Sequence, residues 1–275
     1  MLVALATMDF RLCHLLREKL EKNGFSVEQI IPGKKPPKGT IIVVTTKKEE
    51  KMSPTPFPRK VVLSRSDKLN INRAYGKILL TLEDKRIWES LIIGIDPGMT
   101  IGVAIVADSH LRASLETREI NEAIDFVLRA LKNNPAKMSI IRIGSTGGYR
   151  RVLILNELLN AKPSDIPLEI VDELGTTPAL PPQKQEELVD SSSPTRSISK
   201  DIVAATEIAY RLGERIKRPE EWDFSEGELK EIQMLSRHYS EGEVTIPKDL
   251  ARAVACGFLS IREAIEVQRS RQKEK

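Results

Sequence analysis

Apolar residues fall along this chain in two alternating patterns, short β-branched runs and stripes at helical spacing. The run at residues 2–6 predicts a strand, and Leu12, Leu15, Leu16 and Leu20 predict a helix that Gly24 ends. Residues 25–31, 41–46 and 61–63 read as further strands, and residues 70–83 as a helix. This alternation predicts a small three-layer α/β (Rossmann-like) domain over residues 1–86. Its first strand runs into Thr7-Met8-Asp9, so the glycine-rich phosphate loop of nucleotide-binding folds is missing there.

A second pattern starts near Leu91. Residues 91–95 form an apolar run broken only by Gly94, and Asp96-Pro97-Gly98 makes a tight turn into a second run at 101–107. Residues 111–117 predict a third strand, 120–131 a helix, 139–143 a strand, 152–159 a helix and 168–171 a short buried strand. Residues 200–216 predict a helix with Ile202, Ala205, Ala209 and Leu212 on one stripe. The stretch 176–199, rich in proline and serine, has no apolar period and reads as a long loop; such loops inside compact domains are often functional. The predicted second domain is 91–217. Residues 218–275 change character and predict a small helical region. Its segment 250–260 has the small-residue and glycine spacing of a helix-turn-helix with 261–271 as recognition helix, but packing as a plain bundle is the favoured reading.

Composition narrows the class. The chain has 275 residues, enough for two modest domains, and its 40% apolar content can build their cores. Charged residues make up 30%, a proportion often met in heat-adapted proteins. The two cysteines, Cys13 and Cys256, stand far apart, which argues against a disulfide framework or cysteine-bound zinc. No basic leader or membrane-length apolar run is present, so a soluble cytoplasmic protein is expected. The net charge of +4 is mild, but its distribution is uneven. From Lys34 to Lys77 there are twelve Lys or Arg against three acids, a pattern that fits either a solvated face or a surface contacting nucleic-acid phosphates. Lys34, Lys35, Lys47 and Lys48 are the candidates there.

Chemistry concentrates elsewhere. Asp96 ends the first strand of the second domain, Asp172 and Glu173 follow its last, and Asp201 opens its last helix. Carboxylates at strand ends lie where backbone pairing stops and solvent enters. Divalent-metal phosphodiester hydrolysis needs several such oxygens from different elements. Each acid also has a structural explanation, as a turn residue at Asp96 or a first-turn helix acid at Asp201.

The sequence Ile92-Ile-Gly-Ile-Asp96-Pro-Gly98-Met-Thr-Ile-Gly102-Val-Ala resembles the opening strand pair of the RNase H-like superfamily, specifically RuvC-like resolvases and the YqgF (RuvX) group. Val171-Asp172-Glu173-Leu-Gly-Thr176-Thr177 resembles the Asp-Glu-Arg-Leu-Thr-Thr motif of the latter, with Gly175 inserted and no arginine. Lys200-Asp201-Ile-Val-Ala-Ala resembles the last-helix motif. The resemblance covers residues 91–216 and implies an RNase H-like mixed sheet with flanking helices. It further implies Mg²⁺ or Mn²⁺ as cofactor and a nucleic-acid substrate, RNA or branched DNA. By the same resemblance Asp96, Glu173 and Asp201 would be the catalytic ligands, with Asp172 as a further metal-site candidate, and a homodimer would be possible. Arg150, Arg151 and Lys200 are further candidate strand contacts. Two departures reduce the carboxylate set: Gly144-Ser-Thr-Gly-Gly148 stands where resolvases carry a glutamate, and Ala204 where they carry a second helix aspartate. A depleted, binding-only scaffold is therefore the alternative function. An actin-like or sugar-kinase ATPase, whose first phosphate loop Asp96-Pro-Gly98 also resembles, would need two copies of the fold, and the chain has room for one.

Overall fold

In a computed structural model of the protein, residues 1–52, 57–172, 199–216 and 224–273 are described. They divide into two compact units, one of Met1–Glu89 with Lys132–Lys137 and the other of Ser90–Leu131 with Met138–Lys275. One boundary between them falls at Glu89–Ser90, and the described residues 224–273 cluster with the second unit.

The first unit is built on strands β1 (Leu2–Ala6), β2 (Ser26–Ile30), β3 (Thr40–Thr46) and β4 (Lys60–Leu63), all parallel, in the order β2-β1-β3-β4. Helix α1 (Phe10–Glu21) starts where the Asp9 carboxylate accepts a hydrogen bond from Leu12 N–H, and its Leu12, Cys13, Leu16 and Leu20 are buried. After it, Gly24 takes φ +80°, a conformation that favours glycine. Helix α2 (Arg65–Lys68) opens with a Ser64–Asp67 capping box and leads into α3 (Ile71–Leu82), which buries Ala74, Ile78 and Leu79. Asp67 has no exposed side-chain surface and is held by Lys77 at 2.6 Å and Arg73 at 3.0 Å.

Layering departs from the expectation. Helices α1 and α3 pack on each other, with the Lys19 ammonium 5.5 Å from the centre of the Tyr75 ring, so both cover one face of the sheet. On the other face Ala4, Ala6 and Val43 are covered by Ile30 and Phe57. The physical reason is the β3–β4 connection: its described residues contain only a 3₁₀ turn at Glu50–Met52, where a third layer would need a crossover helix. The Pro-rich residues 53–56 lie outside the described residues.

The second unit carries the larger, mixed sheet. Strands β5 (Trp88–Asp96), β6 (Ile101–Ala107) and β7 (His110–Thr117) form an antiparallel meander. Then come α4 (Ile120–Asn133), β8 (Ala136–Gly144), α5 (Gly148–Ala161) and β9 (Leu168–Val171), with β8 and β9 parallel. Helix α6 (Lys200–Tyr210) and the short antiparallel strand β10 (Glu214–Arg215) complete the order β10-β9-β8-β5-β6-β7. The strand and helix sequence is the one the apolar pattern predicts, with one correction. The last helix stops at Tyr210 instead of running to Ile216, and Leu212 is 88% exposed. Gly213 is the cause: a Cβ there would lie 2.8 Å from Ile170 O, so only glycine lets the chain turn back onto β9.

Helices α7 (Glu226–Tyr239), α8 (Lys248–Ala255) and α9 (Ile261–Lys273) pack against one another as a bundle. Ser225 and Glu228 form a capping box at the head of α7. Glu228 also receives two guanidinium hydrogen bonds from Arg151 of α5, and both side chains are buried. Among the described residues no helix is long and apolar enough to cross a membrane.

Candidate functional site

Helix α6 lies directly against β5 and β6 because two glycines admit it. A Cβ at Gly94 would fall 2.0 Å from Ala205 O and 2.7 Å from Ala209 N. One at Gly102 would fall 2.1 Å from Asp201 O. Real side chains do not tolerate such distances, so both positions require glycine as long as the helix backbone rests on the strands. Gly102 is the register partner of Asp96 across the β5–β6 ladder. The backbone of Asp201 is thereby seated beside the end of the strand that carries Asp96.

The other end of α6 is fixed as firmly. Buried Arg142 of β8 donates to Ala209 O at 2.8 Å and to Glu169 of β9 at 2.8 Å. A cation at a helix C-terminus answers both an orphan carbonyl and the helix dipole. Tyr210 adds a hydrogen bond from its hydroxyl to Ser109 O at 2.7 Å. At the N-terminus, Ser199 caps the helix by accepting from Ile202 N–H, which sets Asp201 in the first turn.

The loops after β5, β8 and β9 meet at the same sheet edge. Gly147, at φ +110°, sits so close to Pro97 that a Cβ would be 2.6 Å from Pro97 O. Ser145 N–H donates to Val171 O at 2.8 Å, and Asp172, exposed, follows Val171. Arg211 donates to Asp172 O at 3.3 Å. With β8 between β9 and β5, the Asp172 and Asp96 backbones are two strand spacings apart, on the order of 10 Å.

The sequence-derived site therefore divides. Asp96, Asp201 and Asp172 lie along one edge, the first two joined through Gly102. Glu173 is outside the described residues, as are 176–198 of the expected loop. Among the described residues no group of three His, Cys, Asp or Glu side chains could hold a metal ion. The donors present are carboxylate and backbone oxygens, which suit a hard cation such as Mg²⁺ or Mn²⁺ and not a soft one.

The basic candidates also divide. Lys200 is exposed next to Asp201, and Arg150 donates to Arg118 O. Arg151 must be corrected: at 5% exposure and paired with Glu228 at 2.8 Å, it holds the helices together and cannot reach a strand. In the first unit Lys34, Lys35, Lys47 and Lys48 are exposed. Arg65 and Lys68, counted in the basic excess but not singled out by it, stand with Lys47 and Lys48 around one cleft.

A family model described as a three helical bundle domain matches residues 225–271, which are the α7–α9 bundle. The match covers that segment alone and favours the bundle reading over a helix-turn-helix there. Comparison of the chain with curated proteins gives no match.

Proposed function

We propose that the second unit is an RNase H-like, divalent-metal-dependent nuclease domain acting on structured nucleic acid, either RNA or branched DNA. The observation that carries this reading is the seating of α6 on Gly94 and Gly102, which brings Asp201 to the strand end at Asp96. The order of three strands, helix, strand, helix, strand, helix and the three motifs in sequence support it. Asp96 and Asp201, with Asp172 or Glu173, would hold Mg²⁺ or Mn²⁺, which when bound supplies charge stabilisation and a water of lowered pKa. The chain's own part is positional. Gly102 and Ser199 set the Asp201 backbone, Arg142 keeps the helix from sliding, and exposed Lys200 can meet a phosphate beside the carboxylates.

Asp96→Asn removes one ionised ligand with little change of shape. It should abolish Mg²⁺- or Mn²⁺-dependent cleavage in a panel of structured RNAs and branched DNAs, and cleavage at the wild-type rate would overturn the assignment. A binding-only scaffold is the second reading. Gly144 pairs with Val171 at the end of β8 where a resolvase would place a carboxylate, which thins the ligand set. On that reading binding weakens with salt and no metal-dependent cleavage is found.

A further inference from the structure

Open parallel sheets bind ligands outside the carboxyl ends of their strands, where the strand order reverses and neighbouring loops part. In the first unit the reversal lies between β1 and β3. That crevice already holds an anion. The Glu49 carboxylate accepts hydrogen bonds from the hydroxyls of Thr7 and Thr46, both at 2.5 Å, and from Met8 N–H at 2.7 Å. Burial pushes its pKa up, but these hydrogen bonds together outweigh burial and hold it below the usual carboxylate value. Glu49 thus fastens the loop after β3 to the loop after β1.

One strand further on, the same edge opens into a cleft of about 610 Å³ lined by Thr46, Lys47, Lys48, Leu63, Arg65 and Lys68. Lys47 N–H bonds to Leu63 O at 3.0 Å, so the ends of β3 and β4 form its floor. Lys68 is paired with Asp9. Lys47, Lys48 and Arg65 are exposed, and among the described residues none of the three makes an ion pair. Three cations outside any ion pair, around a concavity of ligand size, attract a compact, multiply charged anion. Arg65 supplies a planar fork suited to phosphate oxygens and the lysines supply point charges.

We infer that this cleft binds the phosphate of a nucleotide or of a nucleic-acid strand, with Lys47, Lys48 and Arg65 as its ligands and Glu49 as the clamp that presents the two lysines. The site shares its ligand chemistry with the proposed nuclease reading but uses none of its carboxylates. A failure at Asp96 therefore leaves it standing.

The test uses the full chain carrying Asp96→Asn, so that no probe is cleaved, and a short fluorescent single strand with either a 5′-phosphate or a 5′-hydroxyl. Binding is followed by anisotropy across a salt series, with ADP and inorganic phosphate as competitors. Lys47→Ala/Lys48→Ala and Arg65→Ala should each weaken binding by about tenfold or more. Each lost contact should also lower the salt slope by about one. Lys22→Ala/Lys60→Ala removes the same two charges as the lysine pair, from the C-cap of α1 and the amino end of β4, and should change little. Displacement by ADP, with the 5′-phosphate strand bound more tightly, assigns a terminal phosphate; equal binding of both strands without displacement assigns backbone phosphates. Equal losses in the cleft and control variants, or no binding of any probe, would overturn the proposal.

Discussion

Gly102→Ala is the most direct probe of how the carboxylate edge is assembled. The added methyl would sit 2.1 Å from Asp201 O, 2.6 Å from Asp201 C and 3.3 Å from Ala205 Cβ. No positive φ is involved at Gly102, so the cost is purely one of space. Relief to an ordinary contact requires α6 to lift by about 1 Å at its N-terminal end, while Arg142 still holds the C-terminal end. Overpacking of this kind costs about 1–3 kcal/mol, and a backbone obstacle belongs at the upper end. The unfolded chain loses freedom when glycine becomes alanine, which returns about 0.4–1 kcal/mol. The net expectation is about 2 kcal/mol of destabilisation. At ~2–4 °C per kcal/mol in a domain of 150–250 residues, this is a fall in Tm of about 4–8 °C. Thermal and urea melts followed by circular dichroism measure it. Gly227→Ala is the control, because its Cβ would meet nothing nearer than Ser225 Oγ at 3.8 Å and should leave stability unchanged or higher. A Gly102→Ala protein that melts with the wild type would show that α6 does not rest on β6 as described.

Three further outcomes follow from the packing. Removing one partner of the buried Arg151–Glu228 pair, as in Glu228→Ala, strands a buried charge and should cost about 3–5 kcal/mol in a urea melt; Arg151→Met/Glu228→Leu should restore all but the roughly 1 kcal/mol lost with the Ser225–Glu228 capping box, and equal loss in single and double variants would count against the pair. For Asp67, burial raises the pKa but the hydrogen bonds from Lys77 and Ser64 together outweigh it, leaving it below the usual value. The stability it contributes is therefore present above the unfolded pKa of about 3.9 and lost as pH falls through the lower folded value. The Tm gap between wild type and Asp67→Asn should be open at neutral pH and close in acid. Burial, reinforced by Asp9, pushes the Cys13 thiol up to about 11, so iodoacetamide at pH 8 should label it only after unfolding, and rapid native labelling would contradict its burial.

Much of the second unit could be read from the chain because its signals are local. A continuous apolar run such as 101–107 is a strand buried on both faces, and all seven of its residues are buried. Asp96 and Asp201 were legible as an end and a beginning of elements. Their proximity was implied by the family resemblance alone; its physical cause, the absence of side chains at Gly94 and Gly102, is invisible in sequence because a glycine's neighbour is. The structural role of Arg151 is hidden for a related reason: its partner Glu228 lies 77 residues away, and nothing beside either residue announces the pair. The layering of the first unit is not legible in alternation, because alternation does not reveal that the β3–β4 connection supplies no crossover helix among its described residues. Arg65 and Lys68 were hidden within a general basic excess, and only the fold gathers them with Lys47 and Lys48.

The division into units has a consequence for any attempt to take the chain apart. Residues 132–137 belong to the first unit although they are encoded inside the second, where Pro135 O accepts from Trp88 N–H at 2.9 Å and Asn133 accepts from Asn70 at 2.9 Å. A cut after Glu89 would divide β5 and leave the amino-terminal fragment without residues 132–137 and their hydrogen bonds to Asn70 and Trp88, while the remainder would keep those residues, the end of α4 and the start of β8, without those partners. Dissection at that point therefore yields two incomplete pieces, and a free-standing first unit requires the 132–137 segment to be grafted back onto it.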